Sequence, residues 1–133
     1  MTAETAARMP GEVKGALAGV WFQALAELLG GWWLLTEVQS RLDHGQEVPL
    51  QDLVRFSAYV ALLAGAVLLA CAVCARRRSR WVRGTILGIQ CAGMATSLIS
   101  ILTGVLAHVV ALLLAFGITL ALTSQSAREW FSR

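Results

Sequence analysis

One acidic residue lies in the middle of an apolar segment, where its carboxyl group is available for chemistry. Glu27 stands within residues 16–35, and the other strongly polar side chain of that segment, Gln23, precedes it by one helical turn. An ionised acid at the centre of a membrane helix costs roughly 3 kcal/mol, so such a group needs either a function or a partner. Two interpretations remain open. Glu27 carries protons or a substrate cation, or it is a protonated acid that hydrogen-bonds to Gln23 or to a neighbouring helix.

A second polar set lies in and just after the apolar segment 84–102. At about 100° per residue its members share one helix face: Gln90, Gly93, Ser97, Ser100 and Gly104. Counted from the cationic residue that precedes each segment, Gln23 lies at nearly the depth of Gln90, and Glu27 at nearly the depth of Ser97. We therefore predict that Gln23, Glu27, Gln90 and Ser97 form a buried polar site, at which a proton or a substrate can bind.

Two cysteines, Cys71 and Cys74, have the C-x-x-C spacing of redox dithiols. The pair is similar to that of the four-helix, quinone-coupled membrane thiol oxidases, in which it faces the oxidising side of the membrane. Here the pair precedes Arg76 at the predicted cytoplasmic boundary, and Cys91 is single, so no second pair completes a relay. Redox chemistry stands as a third hypothesis beside a simple packing role for these small side chains.

The remaining candidate residues lie in two polar loops. Asp43, His44 and Glu47 carry side chains that can bind metals, but their spacing is not diagnostic, and we predict neither a metal nor a cofactor. The second loop is short and lies between apolar segments, so we predict no nucleic-acid partner for it. We expect its five arginines to fix the orientation of the chain and to contact lipid headgroups: Arg76, Arg77, Arg78, Arg80 and Arg83.

Four apolar segments position these residues. The chain has 133 residues, of which 57% are hydrophobic and 14% charged, and no charged residue lies between Arg83 and Arg128. A soluble domain of this size needs a charged surface, whereas about 20 apolar residues span the hydrocarbon core of a bilayer. We predict an all-α, integral membrane four-helix bundle, with a turn at Thr103 and Gly104 and with spans near 16–35, 56–75, 84–102 and 105–122.

The cationic residues are distributed unequally between the two predicted sides of the membrane. One side holds only Arg41 and Arg55, whereas the other holds Arg8, Lys14, the five loop arginines, Arg128 and Arg133. The positive-inside rule then predicts a multi-pass protein of the plasma membrane with both termini cytoplasmic. Residues 1–14 would form a polar cytoplasmic leader, 15–123 the membrane domain and 124–133 a polar cytoplasmic tail. We expect that tail, which carries Trp130 and Phe131, to lie as a short helix along the headgroups.

Small residues predict where the helices pack. On a helical wheel of the first segment, small and polar residues share one face, and bulky apolar residues share the other. We expect the first face to be buried in the bundle or at a subunit interface, because small residues allow helices to approach closely and large ones face lipid. The small and polar face comprises Ala16, Gly19, Gln23, Ala26, Glu27 and Gly30. The glycines predicted to contact other helices are Gly15, Gly19, Gly30, Gly84, Gly88 and Gly93.

The whole chain resembles small four-helix membrane proteins of actinobacteria that have no known function. The likeness lies in the hydropathy, the polar leader, the basic central loop and the tail Ser126-Ala127-Arg128-Glu129-Trp130-Phe131. A second resemblance concerns Ala26-Glu27-Leu28-Leu29-Gly30, which is similar to the sequence around the essential acid of the small multidrug transporters. That resemblance implies a transport role for Glu27. However, the aromatic pattern of their later helices is missing here, and a long acidic loop intervenes.

These observations lead to one main prediction and two alternatives. The main prediction is a small, non-enzymatic membrane protein that acts through helix–helix contacts, as a homo-oligomer or as an accessory subunit of a membrane complex. The first alternative is a small proton-coupled transporter or channel that uses Glu27. The second is a membrane thiol redox protein that uses Cys71 and Cys74.

Overall fold

All regular structure that the computed structural model describes is helical. It describes residues 8–102, 104, 106 and 108–132. Within them lie α1 (Gly11–Asp43), α2 (Gln51–Cys74), a 3-10 helix (Ala75–Arg77), α3 (Arg80–Leu102), α4 (His108–Thr123) and α5 (Gln125–Trp130). The predicted all-α class is therefore confirmed for this part of the chain. Five parts of the sequence-based predictions lie outside the described residues, namely residues 1–7, Thr103, Val105, Ala107 and Arg133.

Two helical stretches are long and apolar enough, by length and composition, to cross a membrane. They are Gln51–Arg77 and Arg80–Leu102. Helix α4 is also apolar but has only 16 residues. Helix α1 has 33 residues, which corresponds to about 50 Å, and its apolar part is interrupted by Gln23 and Glu27.

Glycine and serine residues set the ends of several helices. Helix α1 ends in a Schellman motif, in which the amide of Gln46 donates to the carbonyl of Arg41 and Gly45 adopts a φ of 72°. Helix α3 begins after Ser79, whose hydroxyl accepts a hydrogen bond from the amide of Trp81. Ser124 caps α5 in the same way through the amide of Ala127, and this extended residue separates α5 from α4. These caps explain why the chain changes direction at the predicted loops.

The chain divides into two compact units, which we call the hairpin unit and the terminal unit. The hairpin unit comprises residues 21–70, and the terminal unit comprises residues 1–20 and 71–133. In the terminal unit α3 and α4 pack along each other. The buried side chains of this unit include Val13, Val20, Ile86, Ile118, Leu122 and Phe131.

In the hairpin unit, α1 and α2 run antiparallel and meet through two reciprocal contacts. A Cβ added at Gly31 would lie 2.9 Å from Cγ of Leu62 and 3.0 Å from the carbonyl oxygen of Ala58. A Cβ added at Gly65 would lie 2.9 Å from Cγ of Leu28 and 3.0 Å from the carbonyl oxygen of Ala24. Each helix thus presents a leucine to a glycine of the other helix, and only the absence of both glycine side chains allows this approach.

The buried stripe of α1 differs from the predicted one. Ala26 and Gly30, which we expected to be buried in the bundle or at a subunit interface, are exposed in the single chain, whereas Ala24 is fully buried. On the helical wheel the stripe is rotated by about a quarter of a turn. The physical reason is a seven-residue repeat that polarity alone does not reveal, because small and apolar residues with this spacing stay on one face of a packed helix. The repeat consists of Leu17, Ala24, Gly31 and Val38.

The C-terminal segment also differs from the prediction. It forms the expected short helix, α5, but its two aromatic residues are buried within the protein. Phe131 is 1% exposed and Trp130 is 9% exposed. Trp130 Nε1 donates a hydrogen bond of 3.4 Å to the carbonyl oxygen of Ala75, so the tail contacts the chain directly after the end of α2.

Candidate functional site

Glu27 and Gln23 contact each other in the hairpin unit. Gln23 Nε2 donates a hydrogen bond of 3.3 Å to Glu27 Oε1, and both side chains are half-buried. The other carboxyl oxygen, Oε2, is buried and has no hydrogen-bond partner among the described residues. The contact with Gln23 agrees with a structural role for Glu27, whereas Oε2 retains the capacity to bind a proton or a further donor.

The predicted polar face of α3 is largely buried in the terminal unit. Gln90 is fully buried, Ser97 is 6% exposed, and Ser100 is half-buried. This helix therefore turns its polar face toward the protein, as its sequence indicates. The predicted pairs Gln23–Gln90 and Glu27–Ser97 each join residues of different units, and their contact stays a prediction.

Of the six glycines predicted to pack against helices, one makes a close contact within the described chain. A Cβ added at Gly19 would lie 3.0 Å from Cγ1 of Ile118, so α1 approaches α4 there. A Cβ added at any of the other five would meet no described heavy atom within 4 Å: Gly15, Gly30, Gly84, Gly88 and Gly93. Close packing of these five against the described residues is therefore not found, and contacts between chains stay a prediction for them.

The three cysteines are free thiols in different environments. Cys71 is buried, Cys74 is half-buried, and Cys91 is exposed on α3. The C-x-x-C pair lies on the last turn of α2, next to the 3-10 helix Ala75–Arg77. A redox function of this pair stays a prediction.

The arginine loop is an ordered turn, which we call the arginine turn (residues 76–83). Arg78 adopts a left-handed conformation with a φ of 55°, and its guanidinium carbon lies 3.9 Å from the ring centroid of Trp130. Arg83 Nε donates a 2.8 Å hydrogen bond to the carbonyl oxygen of Leu122, near the C-terminus of α4. A cation is favourable there because the helix dipole places partial negative charge at that end. Two of the five arginines thus hold the terminal unit together.

The other three arginines of this turn face outward. Arg76, Arg77 and Arg80 are exposed and make no hydrogen bond or ion pair with the described residues. Trp81, beside them, is 85% exposed. The predicted headgroup site therefore separates into an inner pair of arginines and an outer set of three.

Potential metal ligands are not brought together in the described chain. Asp43, His44 and Glu47 are exposed at the end of α1 and in the following loop. Among the described residues no three His, Cys, Asp or Glu side chains lie close enough to hold a metal ion. His108 is the first residue of α4, and its buried Nδ1 has no hydrogen-bond partner among the described residues.

Sequence reasoning missed the two closest helix contacts, at Gly31 and Gly65. A signal for them exists in the sequence, because α1 and α2 share the spacing Ala-x₃-Leu-x₂-Gly. In α1 the three positions are Ala24, Leu28 and Gly31, and in α2 they are Ala58, Leu62 and Gly65. The contacts of Arg78 and Arg83 with distant residues have no comparable local signal.

No protein-family model, curated protein or solved structure matches this chain.

Proposed function

We propose that this chain is a four-helix integral protein of the plasma membrane that acts without catalysis, through contacts between membrane helices. Both termini and the arginine turn lie on the cytoplasmic side. The contacts join copies of the chain or join it to a membrane-protein partner as an accessory subunit.

The observation that carries the proposal is the exposure of the apolar helices. In the most apolar part of α3 only 17% of the residues are buried within the chain, and in that of α2 only 33%. The core helix of a soluble protein would be mostly buried, because a large exposed apolar surface is unfavourable in water. Lipid removes that cost. Large exposed side chains include Phe22, Leu29, Leu63, Leu98, Ile99, Val110, Leu113 and Phe116.

The proposed orientation is supported by contacts within the terminal unit. The Trp130–Ala75 hydrogen bond brings the C-terminal segment to the end of α2, and the Arg83–Leu122 bond joins the start of α3 to the end of α4. The arginine turn and the C-terminal tail thus lie at one end of this unit. The positive-inside rule assigns that cationic end to the cytoplasm.

The proposed contact surface is the small-residue face of α3. On the helical wheel this face lies almost opposite the buried face that contains Gln90 and Ser97. Space around Gly84 and Gly88 is open, because an added Cβ would meet no described atom within 4 Å. Backbones of membrane helices associate closely through such surfaces. The exposed small residues of this face are Gly84, Gly88, Ala92 and Ala95.

The double variant Gly84→Leu/Gly88→Leu tests this proposal. We expect the natural chain to form a defined oligomer or to retain a membrane-protein partner in nanodiscs, and the double variant to be monomeric and partner-free. Subunit number from single-molecule photobleaching and partner identification by mass spectrometry provide the measurements. Gly117→Leu is the matched control, because Gly117 is also exposed and open but lies on α4.

The fold of the double variant should be unchanged, since both leucines would occupy open space. Helical circular dichroism and thermal stability check this point. A monomeric natural chain without a partner would contradict the proposal. So would a double variant whose degree of association equals that of Gly117→Leu.

A second candidate function is proton-coupled transport through Glu27. It is favoured by one observation, the buried Oε2 of Glu27 that has no partner among the described residues. A carboxyl group in this position can bind and release a proton without breaking its contact with Gln23.

A further inference from the structure

The outer arginines of the arginine turn form a cationic patch that has no counter-charge among the described residues. Arg76, Arg77 and Arg80 make no ion pair with the described residues. The sequence contains no acidic residue between Asp52 and Glu129, and the Oε1 atom of Glu129 accepts a hydrogen bond from Gln125. Residues 76–80 therefore carry four positive charges. Three of them, on Arg76, Arg77 and Arg80, have no partner among the described residues, so solvent or a ligand must compensate them.

The backbone of this segment increases the local positive potential. Helix α3 starts at Arg80, and its first turn contains no acidic residue. The N-terminus of a helix carries partial positive charge, so cations are normally disfavoured there. An arginine at this position is electrostatically costly for the isolated chain, and a bound anion would remove the cost.

The position of Trp81 indicates what kind of anion fits. The indole of Trp81 is the most exposed large apolar side chain of the described residues, at 85%. It follows Arg80 directly, at the cationic end of an apolar helix. Tryptophan favours the headgroup level of a bilayer, where its apolar ring and its polar N–H are both accommodated. The patch thus combines phosphate-binding side chains with an interfacial anchor.

We propose that Arg76, Arg77 and Arg80 bind the phosphate group of an anionic phospholipid, with Trp81 placed among the neighbouring lipids. This inference rests on the proposed membrane location. Arginine suits phosphate because its planar guanidinium group donates two parallel hydrogen bonds. Arg78 and Arg83 do not belong to the site, because Trp130 and the Leu122 carbonyl already engage them.

Native mass spectrometry of the full chain tests the site with phosphatidylglycerol and, for comparison, phosphatidylcholine. We expect the natural chain to bind phosphatidylglycerol preferentially. In Arg76→Gln/Arg77→Gln/Arg80→Gln the affinity should fall roughly a hundredfold, since each cation near an anionic surface contributes about fivefold. The corresponding triple lysine variant should show an intermediate loss, because lysine keeps the charge but loses the paired hydrogen bonds.

Arg128→Gln is the matched control, since Arg128 is an exposed arginine of α5 outside the arginine turn. It should bind phosphatidylglycerol like the natural chain. Equal binding by the triple glutamine variant would overturn the proposal, as would an equal loss in Arg128→Gln. Displacement of the lipid by inorganic phosphate would also overturn it, because the ligand would then be free phosphate. The same spectra report subunit number, so loss of the lipid site is distinguished from failure of the proposed association.

Discussion

Glu27 is the residue on which the choice between association and transport depends. Its Oε1 accepts a hydrogen bond from Gln23, whereas its buried Oε2 accepts none from the described residues. An acid that serves only in packing can be replaced by an amide of nearly the same shape, whereas an acid that carries protons cannot. The two functions therefore predict different outcomes for one substitution.

Glu27→Gln should leave the fold and the association of the chain unchanged, because glutamine can keep a hydrogen bond to Gln23. Proton flux into proteoliposomes, driven by a potassium diffusion potential and followed with a pH-sensitive dye, measures the transport function. If Glu27 carries protons, the natural chain should conduct them and Glu27→Gln should not. A natural chain that conducts no more than empty liposomes would exclude transport, and equal flux in both proteins would exclude Glu27 as the carrier.

At the residue scale, sequence reasoning identified polar residues better than it identified their partners. The burial of Gln90 and Ser97 follows from a polar stripe on an apolar helix. The contact of Arg83 with Leu122 spans 39 positions in the chain, and that of Trp130 with Ala75 spans 55. Such pairs depend on how helices are arranged, which hydropathy and local spacing do not determine.

At the scale of helices, the reciprocal glycine contacts determine how closely α1 and α2 approach. Gly31 and Gly65 each face a leucine and a backbone carbonyl of the other helix. A leucine can move to accommodate a larger residue, but a helix carbonyl cannot move without displacing the helix. The contacts should therefore tolerate no side chain at Gly31 or Gly65. The neighbouring glycine Gly30 looks equivalent to Gly31 in the sequence but has no such contact.

Gly31→Ala should lower the free energy of unfolding by about 1–3 kcal/mol, the usual cost of overpacking. Gly30→Ala, one residue earlier, should be neutral or stabilising by up to about 1 kcal/mol, because it meets open space and improves helix propensity. Unfolding in mixed micelles with increasing denaturing detergent measures both variants. Gly65→Ala should resemble Gly31→Ala, since its contacts have the same distances. Equal stability of the Gly30 and Gly31 variants would contradict this packing.

The difference between the predicted face of α1 and the face that packs within the chain has an identifiable physical cause. The predicted stripe of α1 was centred on its polar residues, Gln23 and Glu27, because these are costly in lipid. In the structure, the stripe follows the positions where a small residue allows the closest approach, such as Ala24 and Gly31. In this hairpin, shape determines the buried face, and the polar residues lie at its edge.

At the scale of the whole molecule, helix length, apolar exposure and charge together support the proposed membrane location. Two helical stretches are long and apolar enough to cross a bilayer, α1 is long but carries two polar residues, and α4 is short. Hydropathy could predict the helices and their loops because Gly45 and the arginine turn interrupt the apolar segments. It could not predict the burial of α5, whose aromatic residues look interfacial in sequence but pack inside the terminal unit.

The orientation can be tested with two exposed glutamines at opposite ends of the proposed bundle, Gln46 in the acidic loop and Gln125 in α5. In a chain whose three cysteines are replaced by serine, we introduce Gln46→Cys or Gln125→Cys and apply a membrane-impermeant maleimide to intact cells. In the proposed topology nine of the eleven cationic residues of the sequence lie on the cytoplasmic side together with Gln125, so we expect only Gln46→Cys to be labelled. Gln125→Cys should react after permeabilisation. Labelling of Gln125→Cys on intact cells would show that the orientation is the opposite of the proposed one.

Recovery of the folded chain in water without detergent would exclude a membrane protein, because something other than lipid would then have to cover the exposed apolar faces of α2 and α3.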